Sequence, residues 1–312
     1  MKYDVKKEHI NIENYSPFSH INEVSSHLRK NSFYLPFIIK SGEQRPVHPD
    51  TFDDLKIGPS KIVAEKLVFP TSSFRTVYEP EENVFYKLPL LRKITRGLRD
   101  LSWLDLERSR VAGKRLKSLP VGGFSFMPEE CHSAEDPNFN YIKRTMPEGD
   151  REIFPWFYVI KSQNFSKEFE LSSAKRIIAS WMFFAAKDIF LEYHTQNILV
   201  DDKANLCYRD LSDVRSSREE VLKPGYPDNN PINRSELLAN VFDRTVCKQN
   251  LDHLFRYDPK LDANDRKGLK EFIESEIKHY NLPFPDYSID FPKDSPERVP
   301  QKTELVSWRN FR

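Results

Sequence analysis

The chain has 312 residues, of which 38% are apolar and 30% charged, and a formal net charge of +1. That length supports two domains with ordinary cores, and that composition excludes a disordered chain. Near-neutral charge gives no electrostatic case for a nucleic-acid or membrane surface.

Three cysteines, Cys131, Cys207 and Cys247, are odd in number and widely spaced, which predicts reduced thiols rather than a disulfide or metal framework. The N-terminus, MKYDVKKEHINIEN, lacks the apolar run of a secretory signal. The densest apolar run, Trp181–Ala186, is far shorter than the roughly 18–20 residues of a membrane span. The expectation is a soluble cytoplasmic protein.

Residues 1–45 are of mixed polarity and end in FYLPFII, Phe33–Ile39, which predicts a small helical or extended arm. From Pro46 to about Leu90 the pattern favours strands. Val63–Val68 and Arg75–Tyr78 are β-prone, the acidic segment Glu79–Asn83 carries Pro80 and reads as a turn, and Val84–Leu88 returns as a strand. This hairpin sets Arg75 and Lys87 on paired strands. Leu90–Leu116 has few breakers and apolar residues near helical spacing, so a helix is predicted there, with Arg99 on it. Residues 117–150 read as loops around short strands, and Ile153–Ile160 as an apolar strand or core segment.

A long helix is predicted over Leu171–Glu192, capped by Ser172 or Ser173. It runs into HTQN, and Ile198–Val200 and Leu206–Arg209 then form a hairpin around Asp201–Asn205. Two more helices are predicted over Ser235–Phe255 and Asp262–His279. The tail from Pro283 is rich in proline and reads as irregular.

Two clusters could do chemistry. Ser73, Arg75, Thr76, Lys87 and Arg99 offer cations and hydroxyls, which suit a polyphosphate because charge-assisted bonds to phosphate are strong. The same residues would also serve as an ordinary solvated surface. Glu192, His194, Gln196, Asn197 and Asp210 crowd into a helix end and a hairpin. Carboxylate and carboxamide oxygens of that kind form a magnesium shell beside nucleotide phosphates. The competing reading is a helix terminus whose polar groups cap carbonyls, with His194 structural.

Read in order, PVHP (Pro46–Pro49), PTSSFRT (Pro70–Thr76), Lys87, ITRGLR (Ile94–Arg99), EYHTQN (Glu192–Asn197) and RDLSDVR (Arg209–Arg215) resemble the NRPS-independent siderophore synthetases, the aerobactin-synthetase family. The resemblance covers about Pro46 to His279. It implies an α+β, cupped-hand fold with a β-rich fingers domain (46–150) and a mainly helical palm domain (151–312), after an N-terminal arm (1–45). It implies ATP and Mg2+ as cofactors. Ser73, Arg75, Thr76 and Lys87 would hold phosphates, while Thr95 and Arg99 would meet the substrate carboxylate as well as phosphate. Glu192, Asn197 and Asp210 would hold magnesium, with His194 and Gln196 facing phosphate or acyl substrate. Arg99, His194 and Lys87 would be the catalytic residues, and His48 either a substrate ligand or a structural histidine.

The implied activity is ATP-dependent adenylation of a carboxylic acid, followed by condensation with an amine or hydroxyl. The chain departs from the family pattern at Thr195, where HGQN has glycine, and at Asp50 and Thr51, where Trp-Gln follows PVHP. Family members are generally longer and carry an N-terminal thumb, whereas residues 1–45 precede PVHP here. This keeps open a non-catalytic relative, or a split enzyme whose thumb comes from a second chain or a homodimer neighbour. A kinase-like phosphotransferase is a further alternative, because helix, His, Asn, hairpin and Asp follow in that order. Its spacing differs, since Gln196 and Asn197 follow His194 so closely, and no G-x-G-x-x-G loop is present.

Overall fold

The computed structural model describes residues 2–3, 32–71, 73, 75–94, 97–119, 121–149, 151–162, 164–220 and 234–284. The described residues are mixed α and β and divide into two compact units. One holds those up to Ser118 together with those from Met127 to Gly149. The other holds those from Leu119 to Phe126 together with those from Arg151 to Phe284.

The first unit is built on a seven-stranded antiparallel sheet. Its strands lie in the order Glu129–His132, Tyr141–Thr145, Val84–Lys87, Thr76–Glu79, Ile62–Pro70, Phe33–Lys40 and Glu43–Pro46. Phe33–Lys40, the end of the predicted arm, is therefore an inner strand of this sheet. Alternation along these strands sends Phe33, Leu35, Phe37, Val68, Val77, Val84 and Tyr86 into one core. Thr76 and Lys87 are directly opposed and project from the other face, as directly opposed residues share a face.

The helix predicted over Leu90–Leu116 is corrected in its first half. Leu90–Ile94 and Gly97–Arg99 pair as two antiparallel strands, and Arg99 lies on the second of them. The helix spans only Trp103–Lys117. Its start is fixed by a capping box: Ser102 accepts from the Asp105 amide while the Asp105 carboxylate accepts from the Ser102 amide.

In the second unit Glu152–Pro155, Ile198–Asp201 and Leu206–Tyr208 pair antiparallel, and Phe124–Phe126 joins Leu206–Tyr208 in parallel. The Ile153–Ile160 segment splits into the Glu152–Pro155 strand and the helix Trp156–Ser162. The long helix runs Lys167–Ala186, not Leu171–Glu192, and Ser166 is its cap, accepting from the Phe169 amide. Trp181 and Phe184 on its buried side pack against Phe242 and against Phe124 and Phe126.

The following helical stretch is composite. Arg234–Phe242 is α-helical, Asp243–Leu251 has the wider π pitch, and Asp252–Tyr257 returns to α. Ala263–His279 closes the unit after an Asp262 cap. No described helix is long and apolar enough to cross a membrane. The predicted irregular tail lies outside the described residues beyond Phe284.

Candidate functional site

In the first unit, Ser73 and Arg75 lie ahead of the Thr76–Glu79 strand and are tied to its start. The Thr76 amide donates to the Ser73 carbonyl at 3.2 Å, and the Thr76 hydroxyl donates to the Ser73 hydroxyl at 3.2 Å. Thr71 braces it from below: its hydroxyl donates to the Thr76 carbonyl at 2.8 Å and accepts from the Ser73 amide at 3.2 Å. The Arg75 carbonyl accepts from the Leu88 amide at 2.7 Å, so Arg75 is stitched to the end of the strand carrying Lys87. The Arg75 guanidinium donates to the Asp100 carbonyl, next to the Gly97–Arg99 strand.

Ser73, Arg75, Thr76 and Lys87 are thus gathered in one unit. Thr76 and Lys87 are buried, the lysine to 1% exposure. A lysine this deep loses its hydration, which is sustained only by specific polar company. Thr95 lies outside the described residues, and of Arg99 the backbone alone is described.

His48 stands apart in kind. Its ring is buried at the N-terminus of the Pro49–Asp54 helix, where Nδ1 accepts from the Asp50 amide at 3.2 Å. Asp50 and Thr51 open that helix, and the Thr51 hydroxyl donates to the Pro89 carbonyl at 2.9 Å. This is the geometry of a structural helix cap.

The second unit places Glu192–Asn197 in a turn rather than at the predicted helix end, since the long helix stops at Ala186. Four buried anchors hold this turn. The Tyr193 hydroxyl donates to Ser180 on the long helix at 2.9 Å, and the Tyr193 carbonyl accepts from Asn250 at 2.7 Å. Arg209 donates through Nε to the Gln196 carbonyl at 2.9 Å, and its amide donates to the Asn197 carbonyl at 2.9 Å. Thr195 is buried and its backbone is not in the left-handed region, so glycine is not required at this position.

With its anchors inside, the turn presents His194 to solvent. Nδ1 of His194 accepts from the Gln196 amide at 3.2 Å, which assigns the proton of the neutral ring to Nε2. The protein massed around the ring holds its pKa below the ordinary value, although the ring remains accessible.

Asn197 donates through Nδ2 toward both the Glu192 carboxylate and its carbonyl at 3.4 Å, leaving Oδ1 as the acceptor. Asp210 has φ of 83°, a left-handed conformation that strains a side-chain-bearing residue, and its carboxylate accepts from the Ser212 hydroxyl at 2.7 Å. The Glu192 and Asp210 charges both bear on the Tyr208 hydroxyl, which burial foremost pushes far above its ordinary value. Among the described residues no three His, Cys, Asp or Glu side chains gather as a metal site. Two carboxylates and one carboxamide oxygen are nevertheless a donor set that fits a hard cation retaining water or phosphate ligands.

Motif reading missed the anchors Tyr193, Ser180 and Asn250. Only Tyr193 carried a signal, as an aromatic residue inside a polar run.

No protein family matches the chain by sequence, and no curated protein does. Solved structures do. Petrobactin biosynthesis protein AsbB from Bacillus anthracis strain Sterne matches with a TM-score of 0.59 at 14% identity, covering 77% of this chain and 52% of its own. Aerobactin synthetase IucC from a hypervirulent pathotype of Klebsiella pneumoniae matches with a TM-score of 0.51 at 14% identity, covering 77% and 53%. The fold is that of the NRPS-independent siderophore synthetases that the motifs resemble. The chain spans about half the length of these two proteins.

Proposed function

We propose that the protein is an ATP-dependent carboxylate ligase that adenylates a polycarboxylic acid and joins it to an amine or hydroxyl, as in siderophore biosynthesis. The observation that carries this reading is the Glu192–Asn197 turn. Its anchors Tyr193 and Asn197 are buried while His194 is offered outward, on a fold shared with synthetases of that class. Rigid presentation of a polar group is what a transition-state site requires.

In the first step a carboxylate oxygen attacks the α-phosphorus of ATP and pyrophosphate leaves. Ser73, Arg75, Thr76 and Lys87 hold the phosphates and offset their charge. Thr95 and Arg99 hold the substrate carboxylate. His194, donating through Nε2, and Gln196 face phosphate or the acyl group. Glu192, Asn197 and Asp210 are the residues that would hold Mg2+, which when bound neutralises phosphate charge. In the second step the amine or hydroxyl attacks the acyl carbon and AMP leaves. His48 keeps a structural role.

The first unit takes the part of the fingers and the second that of the palm. A homodimer neighbour or a separate chain is the proposed partner, and the working compartment is the cytoplasm.

The test is pyrophosphate exchange into ATP with a panel of carboxylic acids, citrate first. Exchange that requires both Mg2+ and one acid supports the ligase. ATP binding without exchange for any acid points to the non-catalytic or split relative. Release of ADP with phosphate on a hydroxyl identifies a phosphotransferase instead.

A further inference from the structure

The helix Trp103–Lys117 of the first unit has two faces of different character. Leu106, Ser109, Ala112 and Leu116 are buried, and Leu106 packs with Leu101, Ile142 and Cys131. The Ser109 hydroxyl donates to the Glu129 carboxylate, which ties this face to the Glu129–His132 strand. The other face is open. Trp103 is 63% exposed, Leu104 50% and Val111 54%, and Arg110, Lys114, Arg115 and Lys117 are exposed around them.

Leu104, Arg108, Val111 and Arg115 follow one another at alternating steps of four and three residues, so they form one row along the helix. Apolar and guanidinium groups alternate in that row. The helix carries five basic residues against two acidic ones. Of those two, Asp105 is engaged in the capping box and Glu107 pairs with Arg110. Lys114, Arg115 and Lys117 complement the negative end of the helix dipole. The dipole does not account for Arg108 at mid-helix, nor for the open leucine and valine on either side of it.

The alternation decides what can cover this face. A bilayer takes a helix whose apolar residues form one continuous face with cations at its margins. Here lipid that buried Leu104 and Val111 would bury Arg108 between them. A second copy of the same helix sets arginine against arginine or against an apolar side chain, and the row holds no carboxylate to answer it. A helix of another chain, with the same spacing of apolar residues and glutamates between them, matches both the shape and the charge.

We propose that the open face of Trp103–Lys117 docks an acidic amphipathic helix of a partner protein. Its apolar residues lie against Leu104 and Val111, its carboxylates meet Arg108 and the basic residues that follow, and Trp103 covers one side. The surface lies within one unit and does not depend on the ligase reading.

The experiment uses the full chain and a fluorescently labelled peptide of about three heptads, with leucine at the core positions and glutamate between and beside them, read by anisotropy. Versions with glutamine or lysine in place of glutamate are the controls. The acidic peptide is expected to bind at millimolar concentration or below, and about tenfold more weakly when salt rises from about 0.05 M to about 0.5 M. The glutamine version should bind at least about tenfold more weakly.

Arg108→Glu should weaken the acidic peptide about tenfold or more and strengthen the lysine version, an exchange that loss of folding could not produce. Leu104→Ser should weaken the acidic peptide about tenfold, with circular dichroism as the check on folding. The proposal is overturned if the acidic peptide does not bind at millimolar concentration, if the glutamine version binds equally well, or if folded Arg108→Glu protein binds as the native one does. Sedimentation with vesicles of phosphatidylcholine and phosphatidylglycerol, lost in Arg108→Glu, would assign the face to a membrane and overturn it. Self-association lost in Leu104→Ser would assign it to a second copy, with the same result.

Discussion

The Asn250 carboxamide donates to the carbonyl of Tyr193 from 57 residues away in sequence, and that bond locks the turn that carries His194. Asn250→Leu keeps the approximate volume but removes the donor. Two buried carbonyls, of Tyr193 and Thr245, then lose a partner, at a cost of roughly 1–3 kcal/mol each before relaxation. The expected outcome is a lower urea midpoint and a pyrophosphate-exchange rate reduced at least as far as stability alone would explain. A rate equal to the native one, in a folded protein, would detach the turn from catalysis.

Lys87 is buried directly opposite Thr76 on the strand pair that follows Ser73. Lys87→Met retains most of the aliphatic stem and loses the charge. ATP affinity should fall roughly tenfold to a hundredfold, the range of one charge-assisted hydrogen bond. Nucleotide binding measured by calorimetry decides it, with circular dichroism as the check on folding.

Asp210 yields a prediction with opposite signs for two measurements. Its φ of 83° costs of order 1 kcal/mol in an aspartate and nothing comparable in glycine. Asp210→Gly should therefore leave thermal stability equal or higher, after loss of the Ser212 bond is offset, while magnesium-dependent ATP binding collapses. Reduced stability together with unchanged magnesium dependence would show that the strain serves another end.

Glu170 is fully buried on the long helix, with the Lys260 ammonium 3.0 Å from its carboxylate. Burial, followed by the hydrogen bond with Asp258, pushes its pKa up to about 8 despite Lys260. Between its ordinary value near 4.5 and about 8, the folded protein keeps a proton that the unfolded chain releases. Its contribution to stability is therefore full at acid pH and declines as pH rises through that window. Relative to the native chain, Glu170→Gln should show a flatter stability profile and a gain at pH 8. Thermal unfolding at pH 5, 6.5 and 8 makes the comparison; parallel profiles would mean that Glu170 is already ionised at pH 5.

Much of this arrangement is written locally. The pairing of Thr76 with Lys87 follows from two β-prone runs around an acidic, proline-containing turn, and the hairpin after Asn197 from alternating apolar residues around Asp201–Asn205. The stretch from Leu90 to Arg99 misled because Leu91, Ile94 and Leu98 satisfy helical spacing, although Pro89 precedes it and Gly97 interrupts it. The readable helix signal was later, in Ser102 and Asp105.

The long helix begins at Ser166, not at Ser172 or Ser173, because the Ser166 hydroxyl caps it and the Glu168 carboxylate in its first turn favours the positive end of the dipole. What no local pattern could disclose is the bond from Asn250 to the Tyr193 carbonyl, which spans 57 residues, because spacing rules reach no further than a few turns.

The widened coil over Asp243–Leu251 has a consequence for how this region tolerates change. Each residue of an ordinary helix advances the azimuth by about 100°. An ordinary coil that lost one residue would swing everything downstream by that amount. The wider pitch of Asp243–Leu251 advances less per residue, so losing one residue there while returning to the tighter winding offsets much of the swing, and this stretch can absorb a change of length that a regular helix would pass on to every later side chain.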